Sequence, residues 1–191
     1  AKDEKGLAVL RHTASHVLAQ AVQNLYPEAK VAIGPSIDTG FYYDFDHEPF
    51  SREDLDTIEK EMKKIIKKGA KIERFTKSRE DAIAYFKEKN EPYKVELIED
   101  LPEDAEISFY SQGDWTDLCA GPHLMSVKPV KAFKLLSSSS AYWRGSEKNA
   151  MLTRIYGTAY ATKDELKEHL EQMEEAKKRD HNKLGREMKI F

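Results

Sequence analysis

From His12 through Pro27 the chain carries no Asp, Glu, Lys or Arg, although charged residues make up 34% of its 191 residues. The stretch reads as part of a helix from about Leu7 to Tyr26, ended by Pro27. Leu7, Leu10, Ala14, Val17, Leu18, Ala21 and Leu25 recur at helical spacing and form its core stripe. The other side holds Ala8, His12, His16, Ala19 and Gln23, where a solvent face would carry Lys and Glu. This helix is therefore expected to be covered on both sides, with histidines and small residues lining the second surface.

The elements that follow supply the cover. Val31 to Asp46 reads as a hairpin, with turn chemistry at Gly34-Pro35 and Asp38-Thr39-Gly40 and an aromatic strand at Phe41 to Phe45. Ser51 caps a second helix running to about Lys68, with Asp54 three residues into it. A strand at Lys71 to Phe75, a helix at Ser78 to Lys89 and a strand at Tyr93 to Ile98 come next. The second half reads as strands at Ile107 to Tyr110, Val130 to Leu136, Ala141 to Arg144 and Leu152 to Tyr160. Thr162 and Glu165 then form a capping box for a last, long helix, polar nearly all round from Glu174 to Lys183. The class expected is α+β, antiparallel sheets with packed helices, ending in a connector helix. The division expected is a domain over 1–161, with subdomains meeting near residue 100, and the connector over 162–191.

A 40% apolar share supports a core and excludes wholesale disorder. No apolar run approaches the ~20 residues of a membrane helix, and the opening Ala1-Lys-Asp-Glu-Lys does not read as a signal peptide. The single cysteine, Cys119, excludes an internal disulfide and fits a reducing cytoplasm. The net charge of −3 conceals an asymmetry. Eight acidic residues and no basic ones lie between Glu96 and Asp117. Between Ser126 and Ile155, Lys128, Lys131, Lys134, Arg144, Lys148 and Arg154 face only Glu147. Such a segment suits phosphate contacts or, equally, a solvated lysine-rich surface.

The chemistry gathers at two places. His12 and His16, four residues apart, share a helix face. In Asp117-Leu-Cys119-Ala-Gly-Pro-His123 the Gly-Pro turn can bring Cys119 and His123 together. Two histidines and a Cys/His pair make a four-ligand set that zinc accepts. They equally make a polar pocket in which histidines position or deprotonate a water, or a cysteine nucleophile activated by an imidazolium. Spacing leaves the three open.

His12-Thr-Ala-Ser-His16, Gly34-Pro-Ser-Ile-Asp-Thr-Gly-Phe-Tyr-Tyr-Asp44, Cys119-Ala-Gly-Pro-His123, Ala141-Tyr-Trp-Arg-Gly145 and Arg154-Ile-Tyr-Gly-Thr158 occur in this order. Together they resemble the N-terminal editing domain of bacterial threonyl-tRNA synthetases, along essentially the whole chain to Arg179-Asp-His-Asn-Lys-Leu-Gly185. Alanyl-tRNA editing domains are similar in the two histidine frames but do not share the Tyr-Trp-Arg-Gly and Arg-Ile-Tyr-Gly-Thr blocks. Ser139-Ser140 and Ser146 depart from the resemblance beside the basic segment.

The resemblance implies a second-additional-domain fold and hydrolysis of serine wrongly esterified to threonine tRNA. One methyl separates serine from threonine, worth only about 1–3 kcal/mol of discrimination, so a second site with the opposite steric sense is needed. Carried over, the pocket comprises His12, His16, Tyr43, Lys94, Asp117, Cys119 and His123. His12 and Lys94 are expected to handle the water and the leaving ribose oxygen, with His16 beside them. Asp117 is expected to hold the substrate ammonium, and Tyr43, Cys119 and His123 to line the pocket. Lys134, Tyr142, Trp143 and Arg144 are expected at the tRNA acceptor end. No metal or other cofactor is expected, zinc at His12, His16, Cys119 and His123 being the disfavoured alternative. A non-catalytic acceptor-end binding module is the other alternative. The partner missing from the chain is the synthetase catalytic core, since no ATP-binding signature appears.

Overall fold

In the computed structural model the uncharged helix is α1 (Glu4–Leu25), and it is sandwiched as its composition requires. The structure describes the backbone of residues 4–190 and the side chains of residues 4–179. Ala1 to Asp3 and the Asp180-to-Gly185 part of the last motif's side chains lie outside the described residues.

Strands β1 (Lys30–Val31), β2 (Ser36–Ile37) and β3 (Gly40–Asp46) follow, and β2 and β3 make the expected hairpin at Asp38-Thr39. Helix α2 (Arg52–Lys68) starts at Ser51, whose hydroxyl accepts from the Asp54 amide while the Asp54 carboxylate accepts from the Ser51 amide. It ends at Gly69 in the left-handed conformation (φ 64°), a helix stop that glycine enters without strain. Strand β4 (Ile72–Thr76) and helix α3 (Arg79–Glu88), capped by Ser78, lie where the sequence places them.

Residues 93–98 are a correction: they form helix α4 (Pro92–Glu99), not a strand. Pro92 occupies the first turn, where its missing N–H costs nothing. Asn90, at φ 58°, turns the chain so that α4 packs back on α3. The buried set Tyr93, Lys94, Val95 and Ile98 has helical spacing, not alternation.

Strands β5 (Ser108–Gln112) and β6 (Trp115–Leu118) extend β4 into an antiparallel sheet of order β4-β5-β6. Strand β6 is not legible in the sequence as one. Strand β7 (Ala132–Tyr142) is continuous, which corrects the expected break before Ala141; the serine run pairs with Thr153 to Tyr156 past a register shift at Leu135/Ser137. Trp143–Gly145 form a single 3-10 turn, not strand. Strand β8 (Met151–Tyr160) completes the larger sheet, of order β1-β3-β8-β7 with β2 on β3. Helix α5 (Lys163–Ile190) follows, its start marked by the Thr162 hydroxyl accepting from the Glu165 amide.

The main core packs α1 and α2 on β3, β7 and β8 through Leu10, Val17, Leu18, Phe41, Phe45, Ile58, Met62, Leu135 and Ile155. A second core, Ala82, Phe86, Val95, Ile98, Ile107 and Phe109, binds α3 and α4 to the smaller sheet. The cores therefore do not divide near residue 100; the smaller one is built from a stretch within the chain, 82–109. The smaller sheet covers the second side of α1. Gln112 Nε2 donates to Gln20 Oε1 (2.9 Å) and Trp115 Nε1 to Gln23 Oε1 (2.7 Å). Uncharged amides on that face are thus hydrogen-bonded, which is what burial demands of them.

Candidate functional site

Five segments meet over the histidine face of α1: α1 itself, the 33–35 loop before β2, β3, α4 and the β6-to-123 stretch. All but β3 line a pocket of about 250 Å³ that includes His12, His16, Lys94, Asp117 and Cys119, and β3 backs it through Tyr43. That is below the roughly 300–1,000 Å³ of whole-ligand clefts, a size for the end of a larger molecule. Larger grooves elsewhere hold none of these groups.

The walls are set by close backbone approach. Gly34 lies against the Tyr43 ring, where a Cβ would come within 2.0 Å of Cδ2. The Ser15 hydroxyl, 2.7 Å from the Gly34 carbonyl, ties that loop to α1. At the other wall Gly121 (φ 77°) sits under Tyr110, and a Cβ there would meet the phenol oxygen at 2.2 Å. The Gly34 and Cys119-Ala-Gly-Pro-His123 motifs therefore need their glycines for space as well as turning.

Asp117 is the centre of a buried charge network. Its Oδ1 accepts from Lys94 Nζ at 2.7 Å and from the Leu118 amide at 2.8 Å. Its Oδ2 accepts from the Tyr43 hydroxyl at 2.7 Å and lies 3.6 Å from His16 Nε2. Tyr43 in turn accepts from Lys94 Nζ at 2.9 Å. Burial and the Asp117 charge push the Tyr43 phenol well up, so it stays a neutral bridge. Asp117, expected to hold the substrate ammonium, is thus also engaged by protein groups and holds Lys94 in place. Lys94 reaches the pocket because α4 is a helix; as a strand-edge residue it would not be enclosed.

Beside this network stand the histidines and the thiol. Cys119 Sγ is 3.3 Å from His12 Nε2 and 3.3 Å from His123 Nε2, and it accepts from the Gly121 amide at 3.2 Å. The rings of His12 and His123 stack at 4.3 Å, and His16 meets His123 edge-on at 4.3 Å. Burial lowers the pKa of all three rings. His123 falls to about 3, helped by His12, and His16 falls well below 6.5, helped by its two neighbours and Lys94. His12 falls less, because the Pro122 carbonyl and Asp117 favour its charged form. Burial raises the Cys119 thiol to about 11. The pocket thus holds neutral imidazoles and a thiol at neutral pH, and a thiolate nucleophile is disfavoured.

A metal fits this donor set by ligand type. One ligand atom each from His12, His16, Cys119 and His123 lies within 4.8 Å of every other, wider than the roughly 3.3–3.8 Å edges of a zinc tetrahedron with bonds of about 2.0–2.3 Å. These residues would hold the ion, and it would supply a more acidic bound water.

All seven pocket residues expected from the motifs come together. The residues expected at RNA do not. Trp143 is buried against Tyr93, Ala32 and Leu152, with Nε1 donating to Glu96. Arg144 pairs with Asp100 and Glu96, and Lys134 with Glu59. Of the four, Tyr142 alone is exposed without such a tie. In the same basic segment, Arg154 makes two hydrogen bonds to Asp44. These motif blocks hold the fold together. The lysines that stay free gather elsewhere. Lys63 and Lys67 of α2, Lys128, Lys131, and Lys163 of α5 rim a groove of about 640 Å³ floored by Ile66, Val130, Phe133 and Leu166. Among the described residues none of these five forms an ion pair. Sequence reasoning missed this groove because its lysines come from three separate segments. It also missed Thr13, Tyr110 and Trp115, which pack on the histidines; Thr13 and its motif neighbour Ser15 lie inside a family-like motif but carry no charge to single them out.

Residues 107–156 match the family model of the threonyl and alanyl tRNA synthetase second additional domain, with which the fold and this pocket agree. By sequence the chain is similar to the threonyl type. It is 65% identical over 191 residues to a threonine–tRNA ligase of Clostridium novyi, covering all of this chain and 30% of the relative. A threonine–tRNA ligase of Acetivibrio thermocellus is 64% identical over 190 residues, 99% of this chain and 30% of the relative. One from Clostridium tetani is 63% identical over the same shares. The chain thus spans 30% of the length of these relatives. No helix among the described residues is long and apolar enough to cross a membrane.

Proposed function

We propose that the pocket hydrolyses the ester joining serine to the 3′-terminal adenosine of threonine tRNA, proofreading a cytoplasmic synthetase. The observation that carries the reading is the convergence of neutral imidazoles and one buried ammonium in a pocket sized for an aminoacyl end. In this mechanism His12 Nε2 accepts a proton from the attacking water as its oxygen bonds to the ester carbon. Lys94, already bonded to Asp117 and Tyr43, turns a remaining N–H toward the oxyanion that develops. When the carbon–oxygen bond to ribose breaks, the leaving oxygen takes the proton from the His12 imidazolium. Serine and tRNA with a free hydroxyl are released. His16, Cys119 and His123 form the wall that admits serine's side chain.

The acceptor arm lies, in this reading, toward the free lysines of the 63/67/128/131/163 groove, because phosphates need cations without internal partners. The absent part of the longer relatives supplies the amino-acid-activating core. The decisive experiment incubates the protein with seryl- and threonyl-tRNA and follows loss of each ester; loss of the seryl ester alone is expected. A zinc-dependent alanyl-type deacylase is the second reading, favoured by the 4.8 Å donor cluster. Metal analysis decides between them: hydrolysis is expected to persist after chelation, and stoichiometric zinc required for activity would select the second.

A further inference from the structure

We infer that Thr13, His123, Cys119 and His12 form one directed hydrogen-bond chain in which Thr13 fixes the tautomer of His123. Thr13 is wholly buried in α1. The Leu124 amide lies 3.1 Å from its Oγ1, and an amide only donates, so the hydroxyl oxygen accepts there. His123 Nδ1 lies 3.2 Å from the same oxygen. Among the described residues these two are the partners of the hydroxyl, so its own proton goes to Nδ1. A neutral imidazole with a bare Nδ1 carries its proton on Nε2. That nitrogen faces Cys119 Sγ at 3.3 Å and donates to it.

The far end of the chain follows from the thiol. Sγ already accepts from His123 Nε2–H and from the Gly121 amide, so the S–H goes to its remaining partner, His12 Nε2 at 3.3 Å. A neutral imidazole that accepts at Nε2 carries its proton on Nδ1. The sequence runs Thr13 O–H to His123 Nδ1, His123 Nε2–H to sulfur, and S–H to His12 Nε2.

Reversing the first link breaks this. Were His123 Nδ1 to carry the proton, the Thr13 hydroxyl hydrogen would lose its acceptor. The S–H would then go to His123 Nε2, and His12 would have to donate from Nε2, losing the lone pair that faces the pocket. Buried polar groups do not tolerate that arrangement cheaply. Thr13 is accordingly a positioning residue: it acts through His123 and Cys119 to keep His12 Nε2 bare, held only by the weak S–H donor that an entering water displaces. The direction of the chain stands on hydrogen bonds alone; its catalytic meaning rests on the hydrolytic reading above.

The test is long-range proton–nitrogen NMR on histidine-labelled protein at pH 7, with seryl-tRNA hydrolysis measured in parallel. The Nε2–H form is expected for His123 and the Nδ1–H form for His12. Thr13→Ser keeps both signatures. Thr13→Val moves the His123 Nδ1 resonance to that of an unbonded nitrogen and lowers kcat about tenfold at most, with KM little changed. A protonated Nδ1 on His123, or a Thr13→Val spectrum identical to the parent's, overturns the inference. If Thr13→Val does not fold, the parent and Thr13→Ser tautomers decide it. The expected tautomers together with no hydrolysis by the parent would sink the proposed function and leave the chain's direction standing.

Discussion

Lys94 Nζ and Asp117 Oδ1 are 2.7 Å apart, and each side chain is 2% exposed. Removing one partner of such a pair leaves a buried charge alone, which costs about 3–5 kcal/mol, whereas replacing both by apolar groups is often neutral. Lys94→Met is therefore expected to destabilise strongly in urea denaturation and to abolish ester hydrolysis. Lys94→Met combined with Asp117→Leu should recover much of the stability and none of the activity. Equal stability of the single and double variants would show that the pair is not coupled as described.

The histidine cluster predicts how stability depends on pH. His123 titrates near 3 in the folded chain against about 6.5 when unfolded, and His16 is lowered in the same sense. Below pH 6.5 the unfolded chain binds protons that these rings refuse. Their stabilising contribution is complete above that pH and is lost as pH falls toward 3, by up to about 1.4 kcal/mol per pH unit per ring. Asp44 and Glu91, whose carboxyls burial pushes up, act in the opposite direction. Comparing the parent with His123→Gln isolates the histidine's share. The variant is expected to lose less stability between pH 7 and pH 4.5; parallel curves would contradict the assignment.

Burial of the Cys119 thiol, raised to about 11, separates the wall from the chemistry. Cys119→Ser should cost less than tenfold in seryl-tRNA hydrolysis, and His12→Ala about 100-fold or more, as loss of a proton-handling group does. Rapid quenching and mass spectrometry should find no acyl group on Cys119. A trapped thioester would reverse the ranking and make the thiol the nucleophile.

Charge placement predicts which lysines meet RNA. Charge reversal at Lys63, Lys67, Lys128 and Lys131 is expected to weaken tRNA binding and to flatten its dependence on salt, the slope falling by roughly 0.9 for each phosphate left unneutralised. Lys134→Glu with Arg144→Glu should instead lower stability, because Glu59 and Asp100 lose their partners. An unchanged salt slope in the fourfold variant would leave the groove as solvated surface.

The comparison of sequence with structure turns on a few residues. The cap at Ser51, the α1 stripe and the β2–β3 hairpin were legible because each is decided locally, by hydrogen bonds or periodicity within a few positions. Tyr93 to Ile98 misled because Tyr, Val and Ile favour strands, while Pro92 and the packing of α4 on α3 decide for helix. The pocket's membership followed from family-like motifs, yet the internal partners of Asp117 did not. No spacing reveals that Lys94 and Tyr43, 23 and 74 positions away, bond to its oxygens. The same holds for Trp143 and Arg144, whose partners Glu96 and Asp100 sit in an acidic stretch that the sequence presents as separate.

Selectivity is the sharpest test of the sieve. Seryl and threonyl esters have nearly equal intrinsic reactivity, so any large preference must come from the extra methyl meeting the pocket wall. That wall is rigid: Gly34 already touches Tyr43, Gly121 touches Tyr110, and the stacked His12 and His123 rings leave no slack between them. Overpacking a site of this kind by one methyl costs about 1–3 kcal/mol, or roughly 5- to 150-fold in rate. Hydrolysis of seryl-tRNA is expected to exceed that of threonyl-tRNA by such a factor under single-turnover conditions. Cys119→Ala, which shortens one wall side chain, should narrow the gap by speeding the threonyl ester more than the seryl ester. Equal rates on both esters in the parent would remove the steric sieve, and a gap unchanged in Cys119→Ala would move the point of exclusion to the Gly34 and Tyr43 side of the pocket.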